Sequence, residues 1–166
     1  MSEITTPREL FLHELGDILY VEQKLVEQAL PKLIGEVQDD ELRSALEDHL
    51  AQTRTHVKNV EKAFEALGEQ PETEQCLAFE GLTKEHEQMV EETSDDLIDL
   101  VDLGAAARTE NYEIAAYETL RRMARALGED EAVALLDENL KQEKEALQTV
   151  ERIATRVSRK TAAQVV

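Results

Sequence analysis

Glycine and proline are scarce in this chain, six and three among 166 residues, and they cluster so that long stretches lack any helix breaker. A single cysteine excludes an intrachain disulfide and any cysteine-cluster metal site, which leaves Cys76 as a small helix-packing residue. Aromatic residues are few, at 4%, yet a hydrophobic share of 42% keeps the chain in the globular range. No apolar run approaches the ~18 residues a membrane helix needs. A signal-peptide pattern is also missing at the N-terminus, and a soluble, cytoplasmic protein is the expectation. Basic residues are outnumbered, 18 against 37, giving a formal net charge of −19. That charge argues against nucleic acid or an anionic membrane as partner and suits attraction of cations, although a solvated acidic surface accounts for most of it. Strand-like alternation is absent, and no Gly-x-Ser-x-Gly motif supports nucleophilic catalysis.

What is present is helix. Thr6-Pro7 with Glu9 reads as a helix start, and the first helix is expected to reach about Gly35. Asp39 or Asp40 caps a second helix that ends at Leu67-Gly68. Residues 69–75, with Pro71, form the one clear linker, and a shorter helix covers roughly 77–92. After Thr93-Ser94 another long helix runs to Leu127-Gly128, and a last one from about Asp130 to about Arg156. The expected fold is all-α: a ferritin-like four-helix bundle with one long crossover containing an additional short helix. One domain spans 1–157, and residues 158–166 are expected to be a frayed tail.

Three glutamates stand where an apolar residue belongs. Glu22 interrupts the seam Leu15, Leu19, Val26, Ala29, Leu33. Glu110 does so between Ala107 and Ile114, and Glu143 between Leu140 and Leu147. A lone ionised carboxylate in a core costs several kcal/mol, so each must be protonated, paired or metal-bound. The second-helix seam Leu46, Leu50, Thr53, Val57, Val60 carries Thr53 in the seat that glutamate holds elsewhere, a weak internal repeat. Glu113 follows Glu110 by one turn at the edge of its stripe. His49, Gln52 and His56 sit beside Thr53, the two histidines flanking the seam. Carboxylate and imidazole together suit iron or manganese. The candidate metal ligands are therefore Glu22, His49, Gln52, His56, Glu110, Glu113 and Glu143. Tyr112 and Tyr117 lie beside them as core residues. His13 and Asp17 form an i, i+4 pair suited to a surface or dimer contact, and Glu85 reads as a solvated acid.

At these residues the chain resembles the YciE/YciF family of ferritin-like proteins. The likeness covers about Leu10 to Val150. It rests on Glu-Leu-Phe-Leu-His-Glu-Leu at 9–15, Glu22-Gln23-Lys24-Leu25, Glu-Asp-His-Leu at 47–50 with Thr53, and Cys76 to Leu82. Glu110-x-Tyr112-Glu113-Ile114-Ala115-Ala116-Tyr117 and Leu140-x-x-Glu143-Lys144 complete it. The resemblance implies a four-helix core with an added helix, a homodimer, a dinuclear metal site and an association with stress responses. It carries the ligand roles onto Glu22, Glu110, Glu113 and Glu143. Departures fall at Gln52, where the family usually has glutamate, at Leu147, where it often has an acid, and at Tyr20, one residue later than the family's tyrosine.

Two functions compete at this stage. One is a dinuclear iron or manganese carboxylate protein with ferroxidase-like or peroxide-scavenging activity. The other is a non-enzymatic dimeric helical stress or structural protein with a degenerate metal site. A storage cage is a third, for which no shell-forming interface is evident.

Overall fold

The structure is a computed structural model, and it describes residues 3–163. Helix α1 runs Pro7–Lys24, widens into a π turn at Leu25–Ala29 and finishes as Leu30–Glu36. Helix α2 is Asp40–Ala66, the crossover helix α3 is Leu77–Glu92, α4 is Ile98–Leu127 after a 3-10 turn at Asp95–Leu97, and α5 is Asp130–Ala163. Both expected hairpins and the crossover helix are present.

The helix ends follow their local chemistry. Thr6 and Glu9 form a reciprocal capping box, with Pro7 in the first turn. The Asp39 side chain accepts from the Leu42 N–H and starts α2. Gly68 and Gly128 close α2 and α4 with φ of 75° and 78°, a conformation that side chains with a Cβ rarely adopt. The π turn answers to Pro31, which has no N–H to give and whose ring would press on the preceding turn. Leu30 N–H bonds back to the Leu25 carbonyl across the widened turn.

The four long helices form a ring in which α1 and α5 each pack against α2 and α4. Contacts at the two ends fix the directions. At one end Arg8 donates to the Leu67 carbonyl and pairs with Glu69 and Glu129. At the other, Arg156 of α5 grips Asp39, and the Gln38 N–H donates to Asp99 at the start of α4. The crossover therefore travels the length of the bundle, and α3 packs on α4. The linker before α3 is pinned where the Glu74 N–H donates to the Gly16 carbonyl, so close that a Cβ on residue 16 would meet the Glu72 carbonyl at 2.9 Å. The core contains Phe11, Leu15, Ile18, Leu103, Leu120, Leu136 and Ile153, all nearly or fully buried.

Two expectations are corrected. The last helix runs past its expected end at about Arg156: it is helical to Ala163, with Val157 buried and an exposed final turn. Residues 164–166 of the expected tail lie outside the described residues. On α2 the seam is rotated from the expected one. His49 and His56 are buried, while Leu50 and Val57 are only partly so.

Candidate metal centre

Each long helix delivers at least one polar side chain to a single layer. Helix α1 gives Glu22, α2 gives His49 and His56, α4 gives Glu110 and Glu113, and α5 gives Glu143. Every one of them is buried. His49 Nε2 lies 3.1 Å from Glu110 Oε1 and 3.8 Å from Glu143 Oε2. His56 Nδ1 lies 2.8 Å from Glu143 Oε1 and 3.5 Å from Glu22 Oε1. Neither Glu143 oxygen has an aligned donor, despite the nearby imidazole. Glu113 has no hydrogen-bond partner for either oxygen, and Glu22 Oε2 and Glu110 Oε2 lack one too.

These atoms fall into two pockets that share one residue. His49, Glu110, Glu113 and Glu143 converge on one point, and Glu22, His56 and Glu143 on another, with ligand atoms within 4.8 Å of one another in each set. The two oxygens of Glu143 face different histidines, the position a bridging carboxylate takes. Four carboxylates match the charge of two divalent cations, and the mixed oxygen and nitrogen donors suit iron or manganese. The orphaned oxygens are what such ions would satisfy, so the residues fit the group.

The electrostatics agree. Burial pushes the Glu110 carboxyl up to about 8, with nearby Glu143 adding to it and His49 opposing. Burial raises Glu113 well above its ordinary range, with Glu143, Glu22 and Glu110 all reinforcing the shift. It raises Glu143 as well, against the pull of His56. Burial alone would lower His56, but the charges of Glu22 and Glu143 outweigh it and hold the imidazole up to about 11.

Around this layer the supporting shell is closed. Tyr117 donates to Glu22 Oε1, Asn139 Nδ2 donates to the Tyr117 hydroxyl at 3.0 Å, and Asn59 donates to Asn139 Oδ1 at 2.8 Å. Burial lifts the Tyr117 hydroxyl far above the ordinary tyrosine range, so it stays a donor. His56 Nε2 sits 2.9 Å from Gln142 Oε1, which fixes that ring from behind. Thr53, in the expected fourth seat, turns its hydroxyl back onto the His49 carbonyl at 2.8 Å and serves no ion.

Gln52 sits at the rim of the cluster. It is partly exposed and lines an outer groove with Asp48, His49, Glu110 and Thr149. His13 and Asp17 do not pair with each other: His13 faces Glu74, and Asp17 accepts from Tyr112, whose hydroxyl is 2.9 Å from Cys76 Sγ. Cys76 is more than a packing residue, since its sulfur caps α3 by accepting from the Phe79 N–H. Glu85 pairs at the surface with Arg108. Sequence reasoning missed Asn59, Asn139 and Gln142: Asn59 and Asn139 sit one turn from His56 and from Glu143 and would have been found by following those faces, whereas Gln142 precedes Glu143 directly and carried no such signal.

A mostly apolar cavity of about 60 Å³ runs under α3, lined by Leu25, Leu33, Phe79 and Ala106, and it reaches His49 and Glu110. It gives room for a few water-sized molecules beside the charged layer.

No described helix is long and apolar enough to cross a membrane. Residues 6–163 match the family model described as a domain of unknown function, DUF892. The chain is 33% identical to Protein YciF of Escherichia coli over 141 residues, 84% of each chain. The crystal structure of the E. coli stress protein YciF superposes with a TM-score of 0.88 at 30% identity, covering 95% of this chain and 99% of that one. YcfI from Rhodopseudomonas palustris gives 0.87 at 35% identity, covering 90% and 95%. A protein from Xanthomonas campestris, at 19% identity and a TM-score of 0.76, shares the fold. The match over residues 6–163 and the relative at 33% identity show that the chain belongs to the DUF892 family, the YciE/YciF family of ferritin-like proteins.

Proposed function

We propose that the protein is a dinuclear iron or manganese carboxylate protein, associated with stress as its E. coli relative is described, that consumes oxygen or peroxide. The observation that carries this reading is the pair of pockets sharing Glu143, each with one imidazole and orphaned carboxylate oxygens. Such ions, when bound, supply Lewis acidity and electrons for reduction of a small oxidant. The chain's part is positional. Glu143 holds the two pockets together, Glu110 and Glu113 complete one, and Glu22 completes the other under the grip of Tyr117. The apolar walls of the cavity admit a small molecule toward His49 and Glu110 while keeping bulk water away. A cytoplasmic homodimer is the assembly proposed, and size-exclusion mass tests it.

Anaerobic loading with iron(II) followed by oxygen tests the activity. The expected result is at least two iron per chain and oxidation faster than that of free iron, with Glu110→Ala losing iron and rate together. Unchanged iron content in that variant contradicts the site.

One observation favours a second reading, a non-enzymatic helical protein. The raised Glu110 and Glu113 carboxyls and the charged His56 show how protons can replace a cation in this layer. The two readings part on the melting temperature with chelator and after metal is added back. Under the first, loading raises stability by about 2.7 kcal/mol at a hundredfold excess over Kd. No response to either treatment supports the second.

A further inference from the structure

Away from the core centre, three elements meet at Glu36, His86 and Asp102. Glu36 is the last residue of α1, His86 lies in the second half of α3, and Asp102 is in the second turn of α4. His86 Nε2 lies 2.7 Å from Asp102 Oδ1, and one ligand atom from each of the three residues lies within 4.8 Å of the others. Asp102 is 1% exposed, yet its Oδ2 has no hydrogen-bond partner, and the buried Glu36 Oε2 has none either. Among the described residues no lysine or arginine pairs with either carboxylate, and the His86 imidazole faces Asp102.

A simple ion pair pinning α3 to α4 explains the His86–Asp102 contact but leaves both orphan oxygens facing nothing. A cation seated among the three satisfies all of them. We propose that Glu36, His86 and Asp102 form a mononuclear site for a divalent transition metal, separate from the dinuclear centre. Two carboxylates neutralise the charge of one such ion, and the imidazole selects zinc, iron(II) or manganese(II) over calcium and magnesium. A groove at the same end of the bundle is lined by Asp96 and Asp99, with Asp39, which Arg156 pairs, and Lys160. His86 also lines the cavity that reaches His49 and Glu110, so an ion held here sits at the far wall of that passage. The inference does not depend on the core centre being occupied.

The test is a zinc titration of the metal-stripped full-length chain against a chromophoric chelator, with circular dichroism to confirm folding. Glu36→Gln, a partly exposed side chain at a helix end, weakens one zinc equivalent by roughly tenfold or more. Asp102→Asn removes that equivalent, while the remaining zinc titrates as in the unaltered protein. Glu110→Ala, which disables the core centre, leaves this equivalent in place and so separates failure of one site from failure of the other. The proposal is overturned if Glu36→Gln leaves the number and affinity of zinc equivalents unchanged, a result that stands even where Asp102→Asn fails to fold. It is equally overturned if the equivalent disappears with Glu110→Ala.

Discussion

Two polar layers lie next to each other in the bundle core, and they solve burial in opposite ways. The layer of Asn59, Asn139 and Tyr117 closes on itself: amide donates to amide, amide to hydroxyl, hydroxyl to Glu22, and Asn139 also reaches the His56 carbonyl. The layer of Glu110, Glu113 and Glu143 has acceptors in excess and only imidazoles to face them. Neutral groups that satisfy one another fix the helices in register and need nothing more. Carboxylates left over beside them call for something from outside, either protons or metal. The comparison separates scaffold from site within a few ångströms of chain.

The largest expected effect breaks the open layer. Glu143→Ala removes the one residue common to both pockets and abolishes the metal-dependent rise in melting temperature. That rise is about 4 kcal/mol of stability at a thousandfold excess of metal over Kd. Calorimetry with and without chelator reads the loss directly. Breaking the closed layer behaves differently. Asn139→Ala leaves Asn59 and Tyr117 short of partners and costs about 1–3 kcal/mol already in the metal-free protein.

Acidity sharpens the contrast. Glu110, raised to about 8, binds a proton more tightly in the folded than in the unfolded chain, so its contribution is full below the ordinary carboxylate range and fades as pH rises toward 8. His56, held up to about 11, contributes fully below the ordinary imidazole range and loses that contribution as pH climbs toward 11. Metal-stripped protein is therefore expected to melt lower at pH 9 than at pH 5. Metal binding requires deprotonated ligands, so the stabilisation that metal adds grows across the same range. Melting curves at several pH values, stripped and loaded, check for this divergence.

The smallest effect lies outside both layers. Thr6→Ala breaks the capping box of α1 and costs about 1 kcal/mol whatever the metal state, a control read in the same calorimeter.

The helices, their caps and the crossover were legible because each depends on neighbours in sequence: Thr6 with Glu9, Asp39 with Leu42, Gly68 and Gly128 at turns. Glu22, Glu110 and Glu143 were legible because each interrupts an apolar seam. Other parts of the site were harder to read. Leu50 and Val57 drew the expected seam of α2 away from His49 and His56, and only packing against α5 decides which face turns inward. Glu113 looked marginal because small alanines blur the stripe of α4, yet it is fully buried. Gln52, one turn from His49, stays at the rim because it faces the outer groove between α2 and α5. The cluster of Glu36, His86 and Asp102 had no sequence signature, since it exists only where the crossover helix docks.

Anomalous scattering from crystals grown with iron tests the central claim most directly. The account predicts two peaks in the core layer of each chain, one among His49, Glu110 and Glu113, the other between Glu22 and His56, with Glu143 reaching both. A loaded crystal with no anomalous density among these side chains contradicts it.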